Sequence, residues 1–278
     1  MRLTDNEFVQ LSDFIKKNYG IFLKDEKKAL IETRLTDMLI KKNIPSFSQL
    51  YTMLLHDSSG ELKKELAVRI TTNYTYFMRE EDTFSFFAQN VLPWIEKVCK
   101  DKSLRVWSAG CSSGEEPYNL AMVIADYFMN KDKSWNKQIL ASDISDKVLV
   151  SARKGIYTAD KIECLPKQWK TRYLEKYDDD HYIFKDIIRK EVMFKKINLI
   201  EPFFPYKKKF HAILCRNVMI YFDEETRNNI VSKFVNDLEP GGFLLIGKTE
   251  SVDRKLHNLE YIKPGIYRKK GEAVGFSN

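Results

Sequence analysis

The chain has no apolar run approaching the ~20 residues of a membrane-spanning helix. Its longest runs, such as Ala212-Ile213-Leu214-Cys215, are strand-sized. The start, Met1-Arg2-Leu3-Thr4-Asp5-Asn6-Glu7, carries acidic residues where a secretory signal needs an apolar core, so residence in the cytoplasm is expected. Cysteine is scarce. Cys99, Cys111, Cys164 and Cys215 stand without C-x-x-C spacing, which argues against a zinc ribbon or a disulfide framework and predicts reduced, mostly buried thiols. Only four histidines occur, none at a metal-ligand spacing from a cysteine or carboxylate, and no metal is expected.

What is present is ordinary for a globular protein: 44% hydrophobic and 31% charged residues over 278 positions, enough for one large domain or two modest ones. The net charge of +7 fits either nucleic acid or an acidic protein surface as partner. Lysines are interspersed with acids, and Lys207-Lys208-Lys209 reads as a solvated turn, so charge alone does not choose.

Residues 1–70 read as a small all-α domain. Phe8, Leu11, Phe14 and Ile15 recur at helical spacing, as do Leu30, Ile31, Leu35, Met38 and Leu39. A third helix runs to Leu55 with Ser46 or Ser48 as its cap, and a fourth covers Leu62 to Ile70. A polar, aromatic linker and a connecting helix, roughly Asp82 to Cys99, fill 71–100. Strands and helices then alternate over 101–270, predicting a doubly wound α/β domain with a mostly parallel sheet of seven strands. The expected strands are Leu104–Ala109, Gln138–Asp143, Val192–Asn198, Ala212–Arg216, Gly242–Gly247 and an antiparallel pair near Tyr261–Ile262 and Ile266–Arg268. A helical and β-hairpin insertion at about 157–191, turning at Asp178-Asp179-Asp180, is expected on one edge, and 271–278 as a disordered tail.

The segment Arg105 to Pro117 is a strand, a turn of small residues (Gly110 to Gly114) and a helix start. In a doubly wound sheet that combination forms the nucleotide crevice. The turn is neither G-x-G-x-x-G nor G-x-x-x-x-G-K-[ST], and its two carboxylates, Glu115 and Glu116, would repel a phosphate. A positively charged, phosphate-free nucleoside such as S-adenosylmethionine suits it better. Ala109 and Gly110, where the strand meets this crevice, are expected among the cofactor contacts together with Glu115 and Glu116.

Other strand ends offer partners for such a ligand. Asp143 can bind ribose hydroxyls, or simply start the next helix. Asn198 can donate to and accept from an adenine edge, or serve as a turn residue. In Arg216-Asn217-Val218-Met219-Ile220-Tyr221-Phe222, Asn217 suits an amino-acid moiety and Tyr221 the transferred group, against the plainer reading of a packed loop. If the linker folds over the crevice, Asn73 and Thr75 reach the ligand and Arg79 pairs with a carboxylate; an ordinary interdomain connection is the competing account.

Taken in order, Thr71-Thr72-Asn73-x-Thr75-x-Phe77-x-Arg79, Val106 to Tyr118, Ala141-Ser142-Asp143-Ile144-Ser145, Cys215 to Phe222 and Gly241-Gly242 strongly resemble the chemotaxis receptor methyltransferase family, CheR. The resemblance covers about residues 1 to 270. It implies a Rossmann-like domain that transfers a methyl group from S-adenosylmethionine to glutamate side chains of chemoreceptors, giving methyl esters. It assigns cofactor contacts to Asn73, Thr75, Arg79, Glu116, Asp143, Asn198, Leu199, Asn217 and Val218, with Glu115 adjacent. Arg79 and Tyr221 are implied nearest the reacting groups. Partners implied are the helical methylation region of membrane-bound receptors, with no nucleic acid, and a monomer is expected.

Two rival classes differ from this chain at particular residues. Amino-methylating nucleic-acid methyltransferases carry Asn/Asp-Pro-Pro-Tyr/Phe after the fourth strand, where this chain has Arg216-Asn217-Val218-Met219. A non-catalytic module that only binds S-adenosylmethionine is disfavoured by Arg79, Asp143 and Tyr221. Lys27, Arg34 and Lys41 recur every seven residues on one helix face, suited to an acidic receptor helix, although a solvated surface looks the same in sequence. Relatives that dock on a receptor's C-terminal peptide resemble one another in a Gly-x-Gly turn within the insertion; here Lys176-Tyr177-Asp178-Asp179-Asp180-His181 has no glycine. An isolated receptor tail peptide is therefore expected to give no binding heat in calorimetry, and a tight complex would contradict this.

Overall fold

The computed structural model describes residues 1–131, 134–202, 204 and 208–271. The expected tail beyond Gly271 and Lys207 of the lysine run lie outside them. Four helices build the N-terminal unit: α1 (Asp5–Tyr19), α2 (Lys28–Lys41), α3 (Phe47–Leu55) and α4 (Glu61–Ile70). Thr4 and Glu7 cap α1 reciprocally, and Ser46 caps α3 by accepting from the Gln49 amide. The periodic apolar residues meet in one core, including Leu11, Ile15, Leu35, Leu39, Leu50 and Leu66. Leu30 is the exception: it faces outward, 40% exposed, because four buried residues already fill the inner stripe of α2.

The connecting helix is interrupted. It runs as α5 (Glu81–Phe86), a π turn (Phe87–Val91) and α6 (Leu92–Val98). Pro93 lacks the amide that would continue the α pattern, and a wider turn just before it absorbs the loss.

From β1 (Val106–Ala109) the chain alternates through α7 (Glu115–Tyr127), β2 (Ile139–Asp143) and α8 (Asp146–Lys154). The insertion follows: β3 (Ile156–Thr158), α9 (Ala159–Ile162), α10 (Lys167–Tyr173), β4 (Leu174–Lys176), β5 (His181–Phe184) and α11 (Asp186–Arg189). The main domain resumes with β6 (Val192–Lys196), β7 (Phe210–Cys215), α12 (Glu224–Asp237), β8 (Leu238–Ile246), β9 (Leu259–Lys263) and β10 (Ile266–Lys269).

The main sheet has seven strands in the order β6-β2-β1-β7-β8-β10-β9, parallel except for β10, which is antiparallel to both its neighbours. Alternate residues serve opposite faces, as strand geometry requires. Val106, Ala212, Leu214 and Leu245 join the core under α7, whereas Trp107, Ile213, Cys215 and Leu244 join the core under α12. The order reverses at β1, with β2 on one side and β7 on the other, so a crevice opens beyond their carboxyl ends.

The insertion is a three-stranded antiparallel sheet, β3-β5-β4, rather than a hairpin. The extra strand, β3, is only three residues long and too short to show an alternation in sequence. It packs on α7: Phe184 stacks on Tyr118 with ring centroids 4.5 Å apart, and Trp169, Arg172 and Tyr173 all bond Asp126. Among the described residues no helix is long and apolar enough to cross a membrane.

Candidate active site

The floor of the crevice is the turn after β1. Gly110 and Gly114 have φ of +81° and +99°, and Ser112 shares the left-handed region at +50°. A Cβ on Gly110 would lie 2.4 Å from a methyl of Val218, so only glycine lets the turn and the loop after β7 approach this closely. The amides of Gly110 and Cys111 both donate to the Ser142 carbonyl, at 2.7 and 2.8 Å. Asp143 then holds the next step: its carboxylate accepts the amides of Ser112 and Ser145, each at 2.9 Å. Burial pushes the Asp143 carboxyl upward, and these backbone donors oppose the shift without cancelling it.

Arg216, at the end of β7, is the hub of the opposite wall. Its side chain is 2% exposed and pairs with Glu116 at 3.0 Å and Glu80 at 3.2 Å. The same guanidinium donates to the Arg79 carbonyl and lies over the Phe84 ring. Glu116 completes its own bonding with the Ser108 hydroxyl at 2.7 Å. Three segments distant in sequence are thereby tied at one point: the linker, the start of α7 and the end of β7.

A second buried carboxylate, Glu250, fixes the loop beyond Arg216. It accepts the amides of Asn217 (2.8 Å), Gly247 (2.6 Å) and Ile220 (3.3 Å). Burial raises its pKa while those donors pull it back. Asn217 is thereby held at a φ of +58°, and its side-chain oxygen is buried with no hydrogen-bond partner. An orphaned acceptor of this kind calls for a donor from a ligand.

The linker forms the roof. The Ser112 hydroxyl donates to the Asn73 carbonyl at 2.9 Å, and the Tyr221 hydroxyl to that of Thr72 at 3.2 Å. Arg79 donates to the Tyr74 carbonyl and leans over the Tyr76 ring; among the described residues it forms no ion pair. The N-terminal unit closes one end. Ile21 bridges to Phe222, Asn198 donates to the Asn18 carbonyl at 2.8 Å, and Tyr19 and Ile21 face the cleft.

The resulting cleft holds about 960 Å³ of space, counting its open mouth. Asn73, Thr75, Arg79, Gly110, Glu116, Asp143, Asn198, Leu199, Asn217, Val218 and Tyr221 all line it. Two expected residues do not. Ala109 is buried in the core under α12. Glu115 is fully buried and pairs with Lys161 of the insertion at 3.1 Å, so of the two adjacent carboxylates only Glu116 faces the cleft.

The face expected from Lys27, Arg34 and Lys41 also changes. Arg34 turns inward, donating to the Ile70 carbonyl and the Thr72 hydroxyl, and so fastens the end of α4 and the linker to α2. Lys41 is exposed but paired with Asp37, and Lys27 is exposed. Residues that sequence reasoning passed over include Tyr19 and Ile21, which line the cleft, and Glu250, which holds the loop of Asn217 from behind. None carries a local signal, because each acts through a partner far away in the chain.

Known proteins match both parts of the chain. Residues 6–71 match the model described as "CheR methyltransferase, all-alpha domain", and 73–266 the one described as "CheR methyltransferase, SAM binding domain". The chain belongs to the CheR methyltransferase family. It is 45% identical to a chemotaxis protein methyltransferase of Borreliella burgdorferi over 97% of this chain and 96% of that one. A chemotaxis protein methyltransferase 2 of Vibrio cholerae is 32% identical, covering 99% and 98%. This CheR protein is an S-adenosylmethionine-dependent methyltransferase. Its cleft fits that nucleoside: an orphaned amide oxygen, a buried carboxylate and a glycine turn are chemically suited to an ammonium, ribose hydroxyls and close backbone approach.

Two outcomes follow. Glu250→Ala leaves three backbone amides without their acceptor, and should lower stability by about 2 kcal/mol or more and weaken binding of S-adenosylhomocysteine, read by denaturation and calorimetry. Asp143 accepts hydroxyl donors best when ionised, and its pKa lies above the ordinary 3.8. Product affinity should therefore fall on acidification with a midpoint above that value. In Asp143→Asn the affinity should be lower and that inflection absent.

Proposed function

We propose that this protein transfers the methyl group of S-adenosylmethionine to glutamate side chains of chemotaxis receptors, yielding glutamate methyl esters and S-adenosylhomocysteine. The observation that carries this reading is a cleft that joins a nucleoside-type wall to a cation of the linker. Arg79 lines the cleft without an ion-pair partner among the described residues, beside Asn73 and Thr75.

S-adenosylmethionine supplies a methyl already activated by its sulfonium charge. A glutamate carboxylate is ionised at neutral pH, its reference pKa being about 4.3, so the protein needs no general base. What its residues contribute is position, worth up to ~7–11 kcal/mol when reacting atoms are held in line. In this reading Asp143 takes ribose hydroxyls, Asn198 and Leu199 the adenine edge, and Asn217 and Val218 the amino-acid end, with Glu116 on the same wall. Arg79 steers the acceptor carboxylate, and Tyr221, anchored to the Thr72 carbonyl, lines the transfer path.

The functional division we assign is 1–70 for the helical domain, 71–100 for the linker and connecting helix, and 101–270 for the methyltransferase domain. Lys27 and Lys41 remain the cations of α2 and its preceding turn suited to an acidic receptor helix, whereas Arg34 serves the linker. We assign a cytoplasmic monomer that works at the surface of membrane-bound receptors, needs no metal and does not use a receptor-tail tether. The turn of the insertion supports the last point: Asp178 accepts the amides of Asp180 and His181 and so closes on itself.

Labelled S-adenosylmethionine incubated with receptor-containing membranes should give base-labile label on the receptors. Label on nucleic acid, or none on protein, overturns the reading. Arg79→Ala should lose about tenfold or more in kcat, the cost of one charge-assisted bond. An unchanged rate with unchanged product binding would remove Arg79 from the mechanism.

A further inference from the structure

Glu115 poses a question that the cleft does not answer. It stands next to a cleft-lining carboxylate, yet its own side chain is wholly buried and turned away from the cleft. A buried carboxylate requires a partner. It has two: the Ser113 hydroxyl at 2.7 Å and the ammonium of Lys161, on α9 of the insertion, at 3.1 Å.

A second bond runs in parallel. Tyr157 of β3, itself buried, donates its hydroxyl to the Ser113 carbonyl at 2.7 Å. The fit there is close, since a Cβ on Gly114 would meet that hydroxyl at 2.8 Å. The insertion thus grips the glycine turn through both its backbone and its side chains.

The same few residues also grip the roof. Phe77, two positions before Arg79, is buried with its ring edge-on to Tyr157 at 4.8 Å and 5.8 Å from Phe184 of β5. Cys164, between α9 and α10, donates its thiol to the Phe77 carbonyl at 3.4 Å. Tyr157 therefore touches both the turn that forms the floor of the cleft and the linker that forms its roof.

We infer that the inserted subdomain is a positioning element for the methyl-donor site, with Lys161 and Tyr157 setting the glycine turn against the Asn73–Arg79 linker. The inference rests on the reading that the cleft binds S-adenosylmethionine. Neither residue lines the cleft, so any effect on the donor must pass through the turn or the linker. Two fixed walls lower the ordering cost of binding, and loosening one raises it.

The test compares Lys161→Met, Lys161→Arg and Tyr157→Phe with the parent in the full chain. S-adenosylhomocysteine affinity is read by calorimetry well below each melting temperature, together with KM for S-adenosylmethionine and kcat. Lys161→Met and Tyr157→Phe are expected to weaken product binding about tenfold and raise KM in proportion, with a smaller change in kcat. Lys161→Arg, which keeps the charge, is expected to restore most of the loss. Variants that melt earlier but bind and turn over like the parent would overturn the inference, as would equal loss in Lys161→Met and Lys161→Arg. Failure of the parent to bind the product at all would instead overturn the reading of the cleft.

Discussion

The architecture of the site depends on one buried cation. Arg216 is almost wholly removed from water, and a guanidinium there is stable only where carboxylates and carbonyls surround it. Glu116 supplies part of that surround from the start of α7, and the Arg79 carbonyl and Glu80 supply the rest from the linker. The arginine therefore cannot be satisfied until the linker has closed on the sheet. Desolvation converts a charge at a strand end into a requirement on tertiary structure.

Strain gathers around the same point. Met78, Glu80, Ser112 and Asn217 all occupy the left-handed region without being glycine. Such conformations cost free energy and persist only where neighbours over-determine them. Glu250 holds Asn217, Asp143 holds Ser112, and Arg216 holds the turn at Glu80. Buried carboxylates and one buried arginine thus offset backbone strain at the places where the cleft needs its shape.

The helical N-terminal unit is part of the enclosure rather than an appendage. The Phe22 amide bonds the Tyr221 carbonyl, Asn18 receives Asn198, and Arg34 fastens the linker from above. The seven-residue repeat of Lys27, Arg34 and Lys41 was legible, but periodicity gives a helix face only. It cannot tell a cation reaching for a partner protein from one reaching for the chain's own carbonyls, and for Arg34 the second holds.

Much of the fold could be read directly. Helix starts, strand alternation and the glycine turn are local properties, and the seven main strands emerged near their predicted positions. Elements governed by short length or by a distant contact were not legible, as β3 and the π turn before Pro93 illustrate. The site divides in the same way. The chemistry of Asp143, Asn198, Asn217 and the turn after β1 was determined by residue type and position at strand ends. The resemblance names Glu116, but that Glu116 and not Glu115 faces the cleft was decided only in three dimensions. The two are neighbours on one helix turn, and a lysine from the insertion claims one while Arg216 claims the other. Sequence determines what each residue can bond; only the folded chain decides which bond it makes, because burial leaves each charge the partners that packing brings within reach.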